Sequence, residues 1–361
     1  MTMPAWPKQT ETVVLTVNGR DYRDWESVMV RHELGGRPPY LCRFTCSEGL
    51  PIANNFAKLQ IKPGDRCTVT LAGFPAFSGK VMTRQVYYDA NRHHIEIHCG
   101  TYSELSTASV ISPTNEWKNK TFEQIAKDVL SKAGLNLVFE GGSAPSYKFP
   151  RISATPGEPI DDFLEMMARS LGSYGHMAFT SNVSGDFVVV MGPSGGSDSV
   201  TEGKDIIIGR EIIYNEAMAS AAPAIAQDAG SDKKWGADVS HVPYATIPTG
   251  TEFGGQLPGV IASELPTADT QLLKSRATTE GNWLDGDQIT VIATVHGWLR
   301  PSGGLWQRNQ TVIVNSPMLM MNGTPLTAKS VTFTQDNNTG TRTTLDLRNP
   351  LALGAGGPPI R

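Results

Sequence analysis

The sequence predicts a mainly β protein with an α+β part, in which two β-barrel-like domains flank a small α+β module and a long insertion interrupts the second barrel. Period-two strands between turn residues fill the start and the end of the chain. Two stretches of helical period lie between them. The 36 glycines and 24 prolines among 361 residues supply many turns, and only 18% of the residues are charged.

The first barrel domain is predicted at residues 1–112. Asn18 and Gly19 tolerate positive φ and predict a hairpin turn after the first strand, and the sequence Lys62-Pro63-Gly64-Asp65 predicts another turn. Closely spaced strands joined by short turns are typical of an antiparallel barrel or sandwich. The strands are expected at 13–17, 25–33, 40–46, 67–71, 76–89 and 93–99.

The α+β module is predicted at residues 113–199. Thr121 and Gln124 form a capping-box pattern at the start of one helix, which Gly134 ends. A second helix opens at Pro159 and ends at Gly172. Its apolar residues recur at helical spacing and predict one buried face: Ile160, Phe163, Leu164, Met167, Ala168 and Leu171. Strands are expected at 135–140, 177–179 and 187–191.

The second barrel domain is predicted from residues 200–216 and 283–350, with a tail at 351–361. Strands are expected at 205–214, 289–299, 311–314, 318–321, 330–335 and 341–347. Between the two parts lies an insertion, 217–282, with a helix at 267–279. Residues 217–259 are rich in Ala, Gly, Pro and Ser and lack a period, so we expect a long loop that is mobile before assembly.

Charge and hydropathy exclude several classes of function. The formal net charge is −4, which argues against a dedicated binder of nucleic acid or anionic membranes. No apolar run approaches the ~18 residues that a membrane span needs, and the first twelve residues do not resemble a signal peptide. We therefore expect no membrane insertion. Four cysteines lie in the first hundred residues and are expected to be free, buried thiols.

Two local patterns could carry chemistry. His94, Glu96 and His98 share one face of a strand, but the two histidines lie ~13 Å apart and a metal would need a third ligand. A solvated strand face is the favoured interpretation. Gly192-Pro193-Ser194-Gly195-Gly196 matches the G-x-S-x-G pattern of hydrolases, yet no helical pattern follows it, so a linker is favoured. We predict no catalytic, cofactor-binding or metal-binding residues.

Three further patterns occur in an order that suggests a family. One is the helix entry Thr155-Pro156-Gly157-Glu158-Pro159-Ile160-Asp161-Asp162-Phe163-Leu164, which ends at Ala168-Arg169-Ser170-Leu171-Gly172. Another is 290–298 followed by Gly303-Gly304-Leu305-Trp306 and Asn309. The last is the closing hairpin from Ser330 to Leu347 with Asn349-Pro350. With them, the chain resembles the baseplate hub proteins of contractile-tailed, Mu-like bacteriophages, the late control protein D-like group, which is structurally akin to the T4 hub.

The resemblance implies a structural protein of the virion, assembled in the host cytoplasm. It implies a homotrimer in which two similar barrels per chain form a ring. Such a ring would match the six-fold tail tube protein on one side and the three-fold central spike protein on the other. Other baseplate proteins would be further partners. DNA would pass through the channel without specific binding.

Two other classes of function stay open from the residues alone. One is a cell-wall carbohydrate-binding module, for which Trp298 and Trp306 around the Gly303-Gly304 turn are candidates, although a packed hairpin corner is favoured. The other is a serine hydrolase centred on Ser194, which would need His and Asp partners. A clustered face of exposed aromatic side chains would favour the first, and an ester assay would detect the second.

Overall fold

The computed structural model describes residues 11–35, 37, 39–47, 61–89, 93–108, 110, 115–171, 177–192, 194–213, 221–227, 230–240, 244–248, 261–262, 270–286 and 289–350. The predicted helix end at Gly172 and the predicted tail at 351–361 lie outside these residues. The boundaries of the domains stay a prediction. The prediction of a mainly β fold with an α+β part is confirmed.

The first β unit contains seven strands of one antiparallel sheet. Asn18 and Gly19 have positive φ and connect the first two strands, as their turn chemistry predicts. The second of these, Arg20–Tyr22, is too short to show a period and was not predicted. The strands are β1 (Val13–Val17), β2 (Arg20–Tyr22), β3 (Ser27–Glu33), β4 (Tyr40–Ser47), β5 (Arg66–Leu71), β6 (Phe74–Tyr88) and β7 (His93–Thr101).

The α+β module packs two helices against small sheets. The predicted capping box is present, with the Gln124 amide donating to the Thr121 hydroxyl at 3.4 Å and the Thr121 amide donating to the Gln124 side chain at 3.2 Å. The predicted face of the second helix is buried. The elements are β8 (Glu116–Thr121), α1 (Phe122–Lys132), β9 (Leu137–Glu140), β10 (Lys148–Ser153), α2 (Ile160–Ser170), β11 (Ala178–Ser181) and β12 (Phe187–Val190).

The second β unit follows the module. Two of its predicted features are wrong. The linker interpretation around Ser194 fails because 194–201 is a strand, and residues 317–320 form a turn rather than a strand. The strands are β13 (Ser194–Thr201), β14 (Ile206–Ile213), β18 (Ile289–His296), β19 (Gln310–Ser316), β20 (Met321–Asp336) and β21 (Gly340–Arg348).

The insertion contains regular structure where the sequence predicts a long loop, and this prediction is wrong for its described residues. A three-stranded sheet is covered by a helix, with Ala224, Ala226, Leu273 and Ala277 buried between them. Alanine has low β propensity and therefore gives little strand signal, but its small side chain allows close packing. The elements are β15 (Ala221–Ile225), α3 (Ala237–Ser240), β16 (Tyr244–Pro248), β17 (Ile261–Ala262) and α4 (Thr270–Gly286). The expected mobility of 217–259 stays a prediction.

The two β units are joined edge to edge into one thirteen-stranded sheet. Residues 330–336 of β20 pair antiparallel with 27–33 of β3 over seven consecutive positions. Phe333 of β20 lies opposite Val30 of β3, and both side chains are fully buried. One hydrophobic core therefore continues from the first unit into the second.

The pairing order of five strands repeats between the two units. In the first unit β3 pairs with β4, β4 with β7, β7 with β6, and β6 with β5. In the second unit β14, β18, β21, β20 and β19 pair in the same order, and every pair in both series is antiparallel. Strands β6 and β20 correspond: the first half of each pairs with β5 or β19, and the second half with β7 or β21.

Candidate functional site

A buried arginine connects the two β units and the α+β module. Arg308 is 6% exposed, and its Nη1 and Nη2 atoms donate to the two carboxylate oxygens of Glu140 at 2.9 and 3.3 Å. The same guanidinium donates to the carbonyl oxygen of Ser181 at 2.9 Å from Nη2 and 3.3 Å from Nε. Its carbon lies 5.8 Å from the centre of the Tyr40 ring. A two-pronged arginine–carboxylate contact holds both partners in a defined orientation.

His32 completes the junction from the first β unit. Its ring stacks on Tyr40 with centroids 3.9 Å apart, and its Nε2 atom is 2.7 Å from the carbonyl oxygen of Ala76. Nε2 must carry a proton to donate to a carbonyl. Burial, with a smaller contribution from the positive charge of Arg308, lowers the pKa of His32 to about 3. The imidazole is therefore neutral in the folded protein at physiological pH.

Neutral His32 predicts a pH-dependent stability. The unfolded chain binds a proton at His32 below its ordinary pKa of 6.5, whereas the folded chain does not, so folding stability falls as the pH drops below 6.5 towards 3. We expect His32 to account for a loss of about 2 kcal/mol in unfolding free energy between pH 6.5 and 5. Urea unfolding at several pH values measures it. The His32→Gln variant keeps a donor without titrating and should lack this component; an unchanged pH slope in that variant would contradict the assignment.

Further contacts hold the module against the first β unit. Gly35 donates its amide to the carbonyl of Phe179 at 2.7 Å, and Thr180 donates its hydroxyl to the carbonyl of Glu33 at 2.7 Å. Arg37 forms ion pairs with Asp161 at 3.0 Å and Asp162 at 2.6 Å on α2. These contacts fix the orientation of the two units.

A cavity of about 620 Å³ lies beside these contacts, between the first β unit, α2 and α4. Its charged lining includes Arg37 and Asp161, which pair with one another. Burial raises the pKa of Asp161 and of Glu104, another lining residue. The lining combines both signs of charge, and its arginine–aspartate contacts are those that hold the module in place.

The residues singled out in the sequence do not form an active site. Glu96 is buried rather than solvated, which corrects the favoured interpretation of that face. It pairs with Arg43 of the neighbouring strand and with His98 Nε2 at 2.6 Å. Within the described residues, no group of three His, Cys, Asp or Glu side chains could hold a metal ion. Glu96 therefore pairs with Arg43 across the two strands and forms a hydrogen bond with His98 along its own strand.

Ser194 begins strand β13, which pairs in parallel with β19. A nucleophile elbow requires a strand followed by a helix. Here a strand runs on from Ser194 to Thr201, so the motif lacks its structural context.

The two tryptophans lie in the core. Trp298 is 0% and Trp306 3% exposed, and Trp298 donates its indole N–H to the carbonyl of Thr334 at 3.2 Å. They form a packed hairpin corner and present no platform for a sugar ring. The four cysteines, Cys42, Cys46, Cys67 and Cys99, are free and buried, as expected.

The exposed apolar side chains concentrate on two strand edges. Of thirteen large exposed apolar side chains in the described residues, seven lie on the second half of β6 or on β14. Among the strands that the structure describes, residues 83–87 of β6 pair only with β7 and β14 pairs only with β18, so each has one open edge. Open edges with apolar side chains are typical of sites where chains associate. The seven are Met82, Val86, Tyr87, Tyr88, Ile207, Ile208 and Ile213.

Sequence and structure both relate the chain to phage tail proteins. Residues 12–99 match the family model of the Mu phage baseplate assembly protein GpP-like, N-terminal domain. The chain is 24% identical over 352 residues to the baseplate hub protein gp44 of Escherichia phage Mu, covering 94% of this chain and 88% of that relative.

Two solved structures share the fold. The 43 kDa tail protein of prophage MuSo2 from Shewanella oneidensis is 22% identical, with a TM-score of 0.80 over 95% of this chain and 99% of that one. The tail protein from Neisseria meningitidis MC58 is 17% identical, with a TM-score of 0.75 over 94% of this chain and 96% of that one.

The chain therefore has the fold of phage tail proteins, and its first β unit matches the N-terminal domain of the Mu baseplate assembly protein family. Within that class, the chain is a homologue of the Mu baseplate hub protein gp44, and this homology supports a structural role in a phage baseplate hub. Among the described residues, no helix is both long and apolar enough to cross a membrane.

Proposed function

We propose that three copies of the chain form a closed ring that adapts the six-fold tail tube to the three-fold central spike. The observation that carries the proposal is the repeated strand order within one chain. Two similar β units per chain give six in a trimer, so one face of the ring can present six similar surfaces while the assembly keeps three-fold symmetry. The tail tube protein would bind that face.

The α+β module supports the three-fold side of the proposal. The described residues contain one such module, with its own hydrophobic core, so a trimer carries three. A partner that meets the modules encounters three-fold rather than six-fold symmetry. We place the central spike protein there. A mildly acidic chain, with net charge −4, suits a channel through which DNA passes without specific binding.

The mass of the purified protein in solution tests the ring. We expect sedimentation equilibrium to show association to about 117 kDa, three times the 39.0 kDa chain, with no larger species as the concentration rises. In the closed ring the same two edges of each copy, those of β6 and β14, are paired with neighbouring copies, which is why growth stops at three. A stable two-fold dimer, or open-ended growth, would refute the proposal.

A further inference from the structure

The internal repeat specifies which edges are used within one chain and which are left over. Each β unit has one strand of the β3 type and one of the β6 type. Within the chain, β3 of the first unit pairs with β20, the β6-type strand of the second unit. This leaves the β6 edge on the first unit and the β14 edge on the second. A contact between these two different surfaces is head to tail, the kind that closes a ring.

The register of the contact between two copies follows from the register of the β3–β20 pair within one chain. Val30 of β3 lies opposite Cys42, which lies opposite Cys99. Arg210 of β14 lies opposite Ile292, which lies opposite Asp346. Because Cys99 and Asp346 hold equivalent positions in the two units, Val30 and Arg210 are equivalent as well. At the ends of the two equivalent hairpins, Tyr88 lies opposite His93 and Asp336 lies opposite Gly340. Tyr88 is therefore equivalent to Asp336. Since Gln335 lies opposite Val28 and Val331 opposite His32, residues 83–87 fall opposite 212–208. Met82 and Ile207 lie at shifts in the register, between Val81 and Thr83 and between Ile206 and Ile208.

We infer that residues 83–87 of β6 pair antiparallel with residues 208–212 of β14 from a second copy of this chain, with Arg84 directly opposite Glu211. The inference rests on the proposed ring. Pairing at this register continues the thirteen-stranded sheet from one copy into the next and supplies ladder partners to both open edges.

The side chains at this register are complementary. Arg84 faces Glu211, and in the part of the chain that the structure describes neither has an ion-pair partner of its own. Tyr87 falls opposite Ile208, and both of these apolar side chains are exposed in the single chain. Opposite charges and apolar side chains directly across an antiparallel pair stabilise it. A shift of one residue would move each side chain to the other face and lose these matches.

The equivalent contact within the chain is more apolar. Where Phe333 meets Val30 inside the chain, the corresponding pair between copies is Gln85 opposite Arg210. In the free protein, water solvates the two polar side chains at that position. This difference fits an edge that is solvated before assembly and covered afterwards.

Disulfide trapping tests the register. The double variant Tyr87→Cys with Ile208→Cys should form cross-links between copies under mild oxidation, up to a covalent trimer and no further. The control, Tyr87→Cys with Arg210→Cys, displaces one thiol by about 6.6 Å along the strand and should cross-link at least tenfold more slowly. The four native cysteines are buried, so they provide a low background. Faster cross-linking of the control would overturn the register.

Charge reversal tests the ion pair. Arg84→Glu or Glu211→Arg alone should weaken association at least about tenfold, because each places like charges opposite one another, and the double reversal should restore it to within about threefold. A trimer of normal mass that neither cross-links nor responds to charge reversal would overturn the edge pairing and leave the ring intact. A chain that never trimerises and never cross-links would overturn both. Cross-linking to a tube protein instead would assign the edge to another partner.

Discussion

Replacing Arg308 with methionine is expected to lower the free energy of unfolding by about 3 kcal/mol. The change leaves the Glu140 carboxylate and the Ser181 carbonyl without the donors that Arg308 supplies. Breaking a buried ion pair from one side costs about 3–5 kcal/mol, and the low end applies because the Glu140 side chain is 36% exposed. Urea unfolding monitored by tryptophan fluorescence measures the loss.

A matched surface pair provides the control for Arg308. Arg151 contacts Glu116 at 3.2 Å with its side chain 71% exposed, so Arg151→Met should cost less than about 1 kcal/mol. Arg308→Lys keeps the charge but cannot donate in two-pronged geometry, and it should fall between the two. Equal effects of Arg308→Met and Arg151→Met would show that the junction does not depend on this side chain.

Replacing Phe163 with alanine is expected to cost about 3–5 kcal/mol. Phe163 lies on the buried face of α2 and is 0% exposed, and its ring centre lies 5.3 Å from that of Trp117 with the two rings tilted. The cost combines the lost transfer free energy of the ring with the cavity it leaves. Thermal and urea unfolding of the variant give the value.

The neighbouring Asp162 tests which face of α2 is buried. Its carboxylate pairs with Arg37, whose side chain is 50% exposed, so Asp162→Ala should cost less than about 1 kcal/mol. Similar losses from Phe163→Ala and Asp162→Ala would mean that the helix packs by another face.

Elements with a clear period and explicit end signals could be predicted from the sequence. Thr121 and Gln124 mark the start of α1 by chemistry local to four residues, and the apolar spacing from Ile160 identifies the buried face of α2. Strand β13 could not be predicted, because its sequence SGGSDSVT has few apolar residues and is held by parallel pairing with β19. Turn residues Met318 and Met320 carried a false strand signal, since both are exposed rather than packed.

The junction and the joined sheet could not be predicted either. Arg308 stands in a polar stretch, Gln307 to Gln310, that has no distinguishing pattern. Its partners Tyr40, Glu140 and Ser181 are distant in sequence and meet only in the folded chain. The pairing of β3 with β20 likewise joins segments about three hundred residues apart. Pairing between distant segments leaves no local signal in the sequence, whereas the presence of a strand leaves one in its hydrophobic period.

The most direct test of the trimeric ring is a cryo-electron microscopy map of the assembled protein. The account predicts three copies in a closed ring of six similar β units, alternating between first and second units, with residues 83–87 of one copy beside 208–212 of the next. The α+β modules should follow three-fold symmetry alone. A map in which the β units of neighbouring copies do not alternate around one ring would contradict the account.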